Sequence, residues 1–223
     1  MTFSVAGFCP DTGMLGCAIT SSSIGVASRC AWVDSGTGVA LTQNVTNPAL
    51  GSLGLKLLRE GLAPAQVLKA QACADTDVQW RQLGLVNARG ETATFSGTRA
   101  LGIHATAEGR HCLAMGNLLA NAAVPQAMIG AFESSRGHLA DRLLQALEAG
   151  LAAGGEMGPV YSAGLKICAE PSWPVVDLRV DWREQPILEL RSLWTRYAPQ
   201  MQAYITRAST PSDAESFGVP GDE

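Results

Sequence analysis

Residues 1–20 read MTFSVAGFCPDTGMLGCAIT. Two apolar runs, TFSVAGF at 2–8 and MLGCAIT at 14–20, flank the segment Pro10-Asp11-Thr12-Gly13. Proline presets φ, aspartate bonds its own backbone and glycine tolerates the left-handed region, so this segment predicts a tight turn between two antiparallel strands. The first run begins at Thr2, and the chain is expected to enter its sheet there. Both runs are apolar at successive positions, which predicts strands covered on both faces.

Working outward, GVALTQN at 38–44 predicts another strand. Asn47-Pro48 predicts a helix start, an N-cap residue followed by a proline whose missing N–H is harmless there. Leu50, Leu53, Leu57 and Leu58 keep the helical period, and Gly61 closes it. Pro64 opens a second helix to about Cys73. WRQLGLVNA at 80–88 and ETATFSG at 91–97 predict a hairpin about Arg89-Gly90, and HCLAMGN at 111–117 another strand. Helical pattern returns at about 123–135 and at 138–152, where Leu139, Leu143, Leu147 and Leu151 form a stripe closed by Gly154-Gly155. SAGLKICAE at 162–170 and VVDLRVDW at 175–182 predict strands, and a last helix spans about 186–206.

Strand pairs thus alternate with helix pairs. A doubly wound parallel sheet wants one helix per crossover, so the order predicts an α+β fold instead: two stacked, mainly antiparallel sheets with helix pairs outside. Residues 1–206 form one domain in this reading, and 207–223 a polar C-terminal tail.

The chain has 223 residues, 47% hydrophobic and 16% charged, with a net charge of -4. That composition predicts a folded, core-rich chain with no basic stripe for nucleic acid or anionic membrane. No apolar run reaches the roughly 20 residues of a membrane helix, and the N-terminus lacks the pattern of a signal peptide. Cys9, Cys17, Cys30, Cys73, Cys112 and Cys168 are scattered without a C-x-x-C pair. They predict reduced, buried thiols of a cytoplasmic protein. His104, His111 and His138 lack metal-ligand spacing, and no metal or cofactor is expected. So little charge to cover the surface predicts a homodimer, and the partner expected at the site is a small molecule.

Thr2 is the first residue with chemistry. A threonine at a mature N-terminus carries a hydroxyl nucleophile and, in the same residue, an α-amine of reference pKa about 7.7–8.0 that can act as its base. This chemistry requires removal of Met1. Gly116-Asn117, at a strand end, offers a backbone N–H and a side-chain amide as an oxyanion hole. Ser21, Ser22, Ser23 and Ser28 with Arg29 supply hydroxyls and one guanidinium, and Thr42, Gln43, Asn44 and Asn47 supply amides, both suited to a substrate amide or carboxylate. Each group also has a bland reading, as strand-end turns and helix caps. Asp177, Arg179 and Asp181 alternate along a late strand and read as a buried ion network in preference to a solvated edge. Nucleophile-elbow, Walker, dinucleotide and H-E-x-x-H motifs are absent from the sequence.

The opening MTFSVAGFCPDTGMLGCAI, the stretch GVALTQNVTNPALGSLGLKLLREGLAPAQVL, AMGNLLA and VDLRVD together resemble one bacterial family, DUF1028, over about residues 1–195. That family is assigned to the N-terminal-nucleophile (Ntn) hydrolases. The resemblance implies their four-layer α-β-β-α sandwich, a nucleophile at Thr2 and an oxyanion-hole candidate at Gly116-Asn117. The function expected is an amidohydrolase acting on a small amide or peptide-like substrate, with Thr2, Asn117 and Ser21–Ser23 meeting in one pocket. The other reading is a non-catalytic small-molecule-binding or assembly protein on the same fold.

Overall fold

The structure, a computed structural model, describes residues 1–216, 218 and 219. The opening hairpin lies at the centre of a six-stranded sheet. Its strands β1 (Thr2–Phe8) and β2 (Leu15–Ser21) pair antiparallel with Thr2 opposite Ser21 and Phe8 opposite Leu15. β8 (Cys112–Asn117) and then β7 (Ala105–Gly109) extend the sheet beyond β1, while β9 (Ser162–Cys168) and β10 (Pro174–Val180) extend it beyond β2. A second sheet has the order β3 (Ala31–Asp34), β4 (Gly38–Asn44), β5 (Arg81–Asn87) and β6 (Thr92–Ser96). All pairs in both sheets are antiparallel.

The inner strands have no wet face because each sheet is packed on both sides. Along β1 the side chains alternate, as the two-residue period demands. Phe3 and Val5 join α4 (Val124–Ser134) and α5 (Leu139–Ala152), packing with Phe132, Leu143 and Leu147, while Ala6 faces Leu41, Val86, Leu113 and Met115 between the sheets. Each of these large apolar side chains, fully buried, contributes roughly 1.5–3 kcal/mol. On the far side, Leu83 and Leu85 of β5 meet α2 (Ala49–Arg59) and α3 (Pro64–Ala74). The layers run helix pair, sheet, sheet, helix pair, as the order of elements predicts. The outer helix comes close because Gly51 has no side chain: a Cβ there would stand 2.1 Å from the Trp32 ring.

Three elements escape the sequence pattern. β7 is a half-exposed edge strand without an apolar run, and α1 (Val26–Cys30) and β3 are too short to show a period. The expected last helix is broken in two, α6 (Pro186–Tyr197) and α7 (Met201–Ser209), at a 3-10 turn containing Pro199, which cannot donate to the preceding turn. β10 is an edge strand on which Asp177 and Arg179 are exposed, and Asp177 pairs with Lys166 at 3.2 Å; this is a solvated edge and not a buried network. Five cysteines are buried as expected and Cys73 is exposed; all six are free. Burial pushes the Cys17 and Cys112 thiols up to about 12, so they are inert hydrophobes. No helix among the described residues is long and apolar enough to cross a membrane. Residues 217 and 220–223 of the expected tail lie outside the described residues.

Candidate functional site

The site is built at one end of the central strand. The antiparallel registers place Thr2 directly between Ser21 on β2 and Asn117 on β8. Its hydroxyl is buried, 2.5 Å from the carbonyl oxygen of Met1 and 3.3 Å from Ser21 Oγ. Ser21 Oγ donates to the same Met1 carbonyl and accepts from the Ser23 amide at 3.0 Å. Two hydroxyls therefore converge on the peptide group attached to the nitrogen of Thr2. The nitrogen itself is locked in that peptide bond, so no free amine stands beside the hydroxyl while Met1 remains.

Beneath Thr2, between the sheets, lies a chain of polar side chains with no solvent exposure. Ser4 Oγ donates to Gln43 Oε1 at 2.8 Å, and Gln43 Nε2 donates to Gln82 Oε1 at 2.7 Å. Asn117 Nδ2 donates to the same Gln82 oxygen at 3.2 Å. Gln82 Nε2 in turn reaches the Gly116 carbonyl and Ser96 Oγ, each at 3.0 Å. Buried amides are retained only when paired, and this network ties both sheets together below the candidate nucleophile. Asn117 Oδ1 is its one buried oxygen without a partner. Turning the Asn117 amide over would set two carbonyl oxygens against each other at Gln82, so the network fixes its orientation.

The remaining sequence candidates divide. Ser22, half-buried, gives its amide to Glu156 Oε2 at 3.3 Å, and Ser23 is exposed at the rim. Gly116 lies inside the sheet between Phe3 and Ala105, and a Cβ there would stand 2.6 Å from Leu119 Cδ2; close packing accounts for the glycine. Arg29 binds the Ile24 and Gly25 carbonyls at 2.6 and 3.2 Å and braces the loop before α1. Asn44 alternates with the inward Gln43, so it lies on the other face of β4; it holds Trp80 O and the Leu101 amide. Asn47 Oδ1 accepts from the Ala49 amide at 3.2 Å at the start of α2, and its Nδ2 binds Asp75. The loop-and-cap reading of these three accounts for every contact they make.

The sequence offered no pointer to Gln82 beyond a polar residue at an inward position of an apolar strand, and none at all to Glu156. Glu156 follows Gly154-Gly155, whose left-handed backbone turns the chain back from α5. It then bridges Leu119 in an antiparallel pair that continues β8 past the end of β1. Leu118, just after Asn117, adopts φ 50, an uncommon state for leucine, held by bonds to Leu101 O and from the Met157 amide. The Glu156 carboxyl is 5% exposed, and burial pushes it up to about 7, against the pull of the N-terminal ammonium and the Ser22 hydrogen bonds. Its Oε1 has no hydrogen-bond partner. Among the described residues no cluster of His, Cys, Asp and Glu could hold a metal ion.

The model of the family of unknown function DUF1028 matches residues 2–190, which include the ten strands of the described residues and every polar group of the network. The chain belongs to the DUF1028 family. No curated protein matches it. The crystal structure of a DUF1028 protein, SPO2555 from Silicibacter pomeroyi, is similar at 28% identity and TM-score 0.83, over 88% of this chain and 89% of that one. Two structures of Anbu, the ancestral β-subunit, align more loosely. Anbu from Yersinia bercovieri is 11% identical with TM-score 0.38, over 91% of this chain and 97% of that one. Anbu from Hyphomicrobium sp. strain MC1 is 13% identical with TM-score 0.42, over 97% of this chain and 100% of that one. The DUF1028 likeness spans both sheets and both helix pairs, so it covers the whole of the architecture that presents Thr2.

Proposed function

We propose that this DUF1028 protein is an amidohydrolase whose nucleophile is the hydroxyl of Thr2, exposed as the first residue by removal of Met1. The observation that carries the reading is the placement of Thr2. It stands at the start of the central strand, its hydroxyl 3.3 Å from Ser21 Oγ, over a buried network that reaches Asn117. Positioning of this kind is what a weak nucleophile needs, since rigid strands hold it better than a loop would. The freed amine takes the hydroxyl proton as Oγ bonds to the substrate's carbonyl carbon. The C–N bond then breaks, the departing amine carries the proton away, and an acyl ester is left on Thr2. Water adds to the ester and releases the acid. Ser21 Oγ already donates to a carbonyl oxygen beside Thr2 and is the better-placed donor for the tetrahedral intermediate.

The test compares processed chains, begun at residue 2 and checked by intact mass, against a panel of amides. Thr2→Ala should abolish hydrolysis with the fold intact by circular dichroism, and Thr2→Ser should retain part of it. Hydrolysis undiminished in Thr2→Ala removes the reading.

One observation favours the alternative, a binding protein without catalysis on the same fold. Asn117 has no exposed surface, and one N–H of its amide is bonded to Gln82. Shut off from solvent, its amide serves the fold as a tie between the sheets, whereas an oxyanion donor has to be open to substrate.

A further inference from the structure

Among the described residues, Glu156 is the strongly perturbed acid near Thr2, and the hydrolysis scheme gives it no task. Three observations assign it one. The carboxylate is buried yet half-satisfied: Oε2 accepts from the Ser22 amide at 3.3 Å and Oε1 accepts nothing. A buried acceptor left open is costly and calls for a donor, best a cation. Among the described residues, the cationic group that acts on it is the ammonium of Met1.

The register fixes which part of a bound molecule that carboxylate meets. Thr2 is opposite Ser21, so the residue before Thr2 is opposite Ser22, the residue that binds Glu156. Glu156 therefore sits one residue beyond the nucleophile, about 3.3 Å further along the strand line. Met1 shows what fills that space: its carbonyl oxygen meets the hydroxyls of Thr2 and Ser21, its ammonium acts on the charge of Glu156 without forming an ion pair with it, and its thioether lies over Gly158, within 4 Å of where a Cβ would stand. An acyl group carried by Thr2 Oγ would lie beside the volume of this residue, with its carbonyl toward the remaining hydroxyl, Ser21 Oγ, and its α-carbon substituents toward Glu156 and Gly158. The α-amine of Thr2 is the other cation that could claim the carboxylate once Met1 is gone, but the ladder holds Thr2 at the level of Ser21, one step short of it.

We infer that Glu156 receives the ammonium of the substrate's acyl residue, and that the substrates are amides of α-amino acids with a free amino group. This rests on the hydrolase reading for the fate of the amide, though the binding it describes does not. The missing side chain at Gly158 leaves room for an unbranched apolar side chain beside the ammonium. A substrate acylated on that nitrogen loses the charge and gains bulk against a buried carboxylate, so the site discriminates against blocked residues.

The experiment uses the Thr2→Ala chain, processed to begin at residue 2, so that binding is read without turnover. L-Methioninamide and N-acetyl-L-methioninamide are titrated by calorimetry. The free amine should bind about 10- to 100-fold more tightly, the range of a charge-assisted bond. Glu156→Gln in the same background should bring the two ligands within about twofold, and Glu156→Asp should keep part of the preference. The chain that retains Met1 should bind neither, because its own first residue fills the subsite. Equal binding of the two amides, no binding of either, an unchanged preference in Glu156→Gln, or undiminished binding with Met1 in place overturns the inference. Hydrolysis by the processed Thr2 chain is measured separately. Preferential binding without hydrolysis removes the hydrolase reading and leaves this one standing; hydrolysis of both amides at equal kcat/KM does the reverse.

Discussion

Replacing Glu156 by glutamine should stabilise the protein at neutral and alkaline pH and leave it unchanged in acid. The carboxyl's ordinary value is 4.5, and burial carries it to about 7 in the fold. Between those values the native chain holds the proton that the unfolded chain has released, so stability falls as pH rises through that window. The contribution is whole below about pH 4.5 and gone above about pH 7. At about 1.4 kcal/mol per pH unit, that window of 2.5 units (7 less 4.5) costs the ionised protein about 3 kcal/mol. Glutamine keeps the shape and the Ser22 bond and never ionises, so the variant escapes the cost. For a chain of this size the gain above neutrality is roughly 6–12 °C in Tm, shrinking toward zero near about pH 4.5. Thermal melts followed by circular dichroism, on wild type and variant from about pH 4.5 to 8.5, read the difference. A Tm gap that stays flat across the range, or that widens toward acid, refutes the assignment of a buried, half-satisfied carboxylate. The sign also bears on function: a residue that destabilises its own fold at working pH belongs with groups kept for what they bind.

Two further predictions concern the surroundings of the site. Gln82→Leu strips the acceptor from both Asn117 Nδ2 and Gln43 Nε2 and the donor from the Gly116 carbonyl. Chemical denaturation should show a loss of about 3 kcal/mol or more, and a loss below about 1 kcal/mol would mean the network is not satisfied as described. Arg81→Met leaves the Asp75 carboxylate, 2.9 Å from Arg81 Nε and nearly buried, without its cation, at a cost of about 3 kcal/mol near neutral pH. The Arg81 guanidinium holds that carboxyl below its ordinary 3.8, so its stabilisation is present above about pH 3.8 and lost as pH falls through the folded value; the variant should lose that share of the wild-type acid transition.

The sequence by itself determined the layered fold. The turn Pro10–Gly13 between two doubly apolar runs requires a hairpin buried on both sides, and the leucine stripes at 50–58 and 139–151 require helices with one face to bury. Local pattern carries that information because it is a matter of period and turn chemistry. It also singled out Thr2 as the start of a strand, with Ser21 and Asn117 as candidates. What it could not decide was which distant residues meet. Thr2 lies between Ser21 and Asn117 only because β1 pairs with β2 on one side and with β8 on the other, and strand order is a property of the closed sheet. Arg29, Asn44 and Asn47 have the same chemistry as site residues, but their contacts hold loops and a helix start, a distinction made by orientation and not by residue type. Gln82 and Glu156 mark the limit most plainly. A glutamine in a strand and a glutamate after two glycines are unremarked in sequence; one becomes the hub of a network because two sheets close over it, and the other becomes a half-satisfied buried carboxylate because the chain past α5 folds back over the end of β1 and shuts water out. Burial and partnership are set by what the rest of the chain places alongside, and only the tertiary structure decides that.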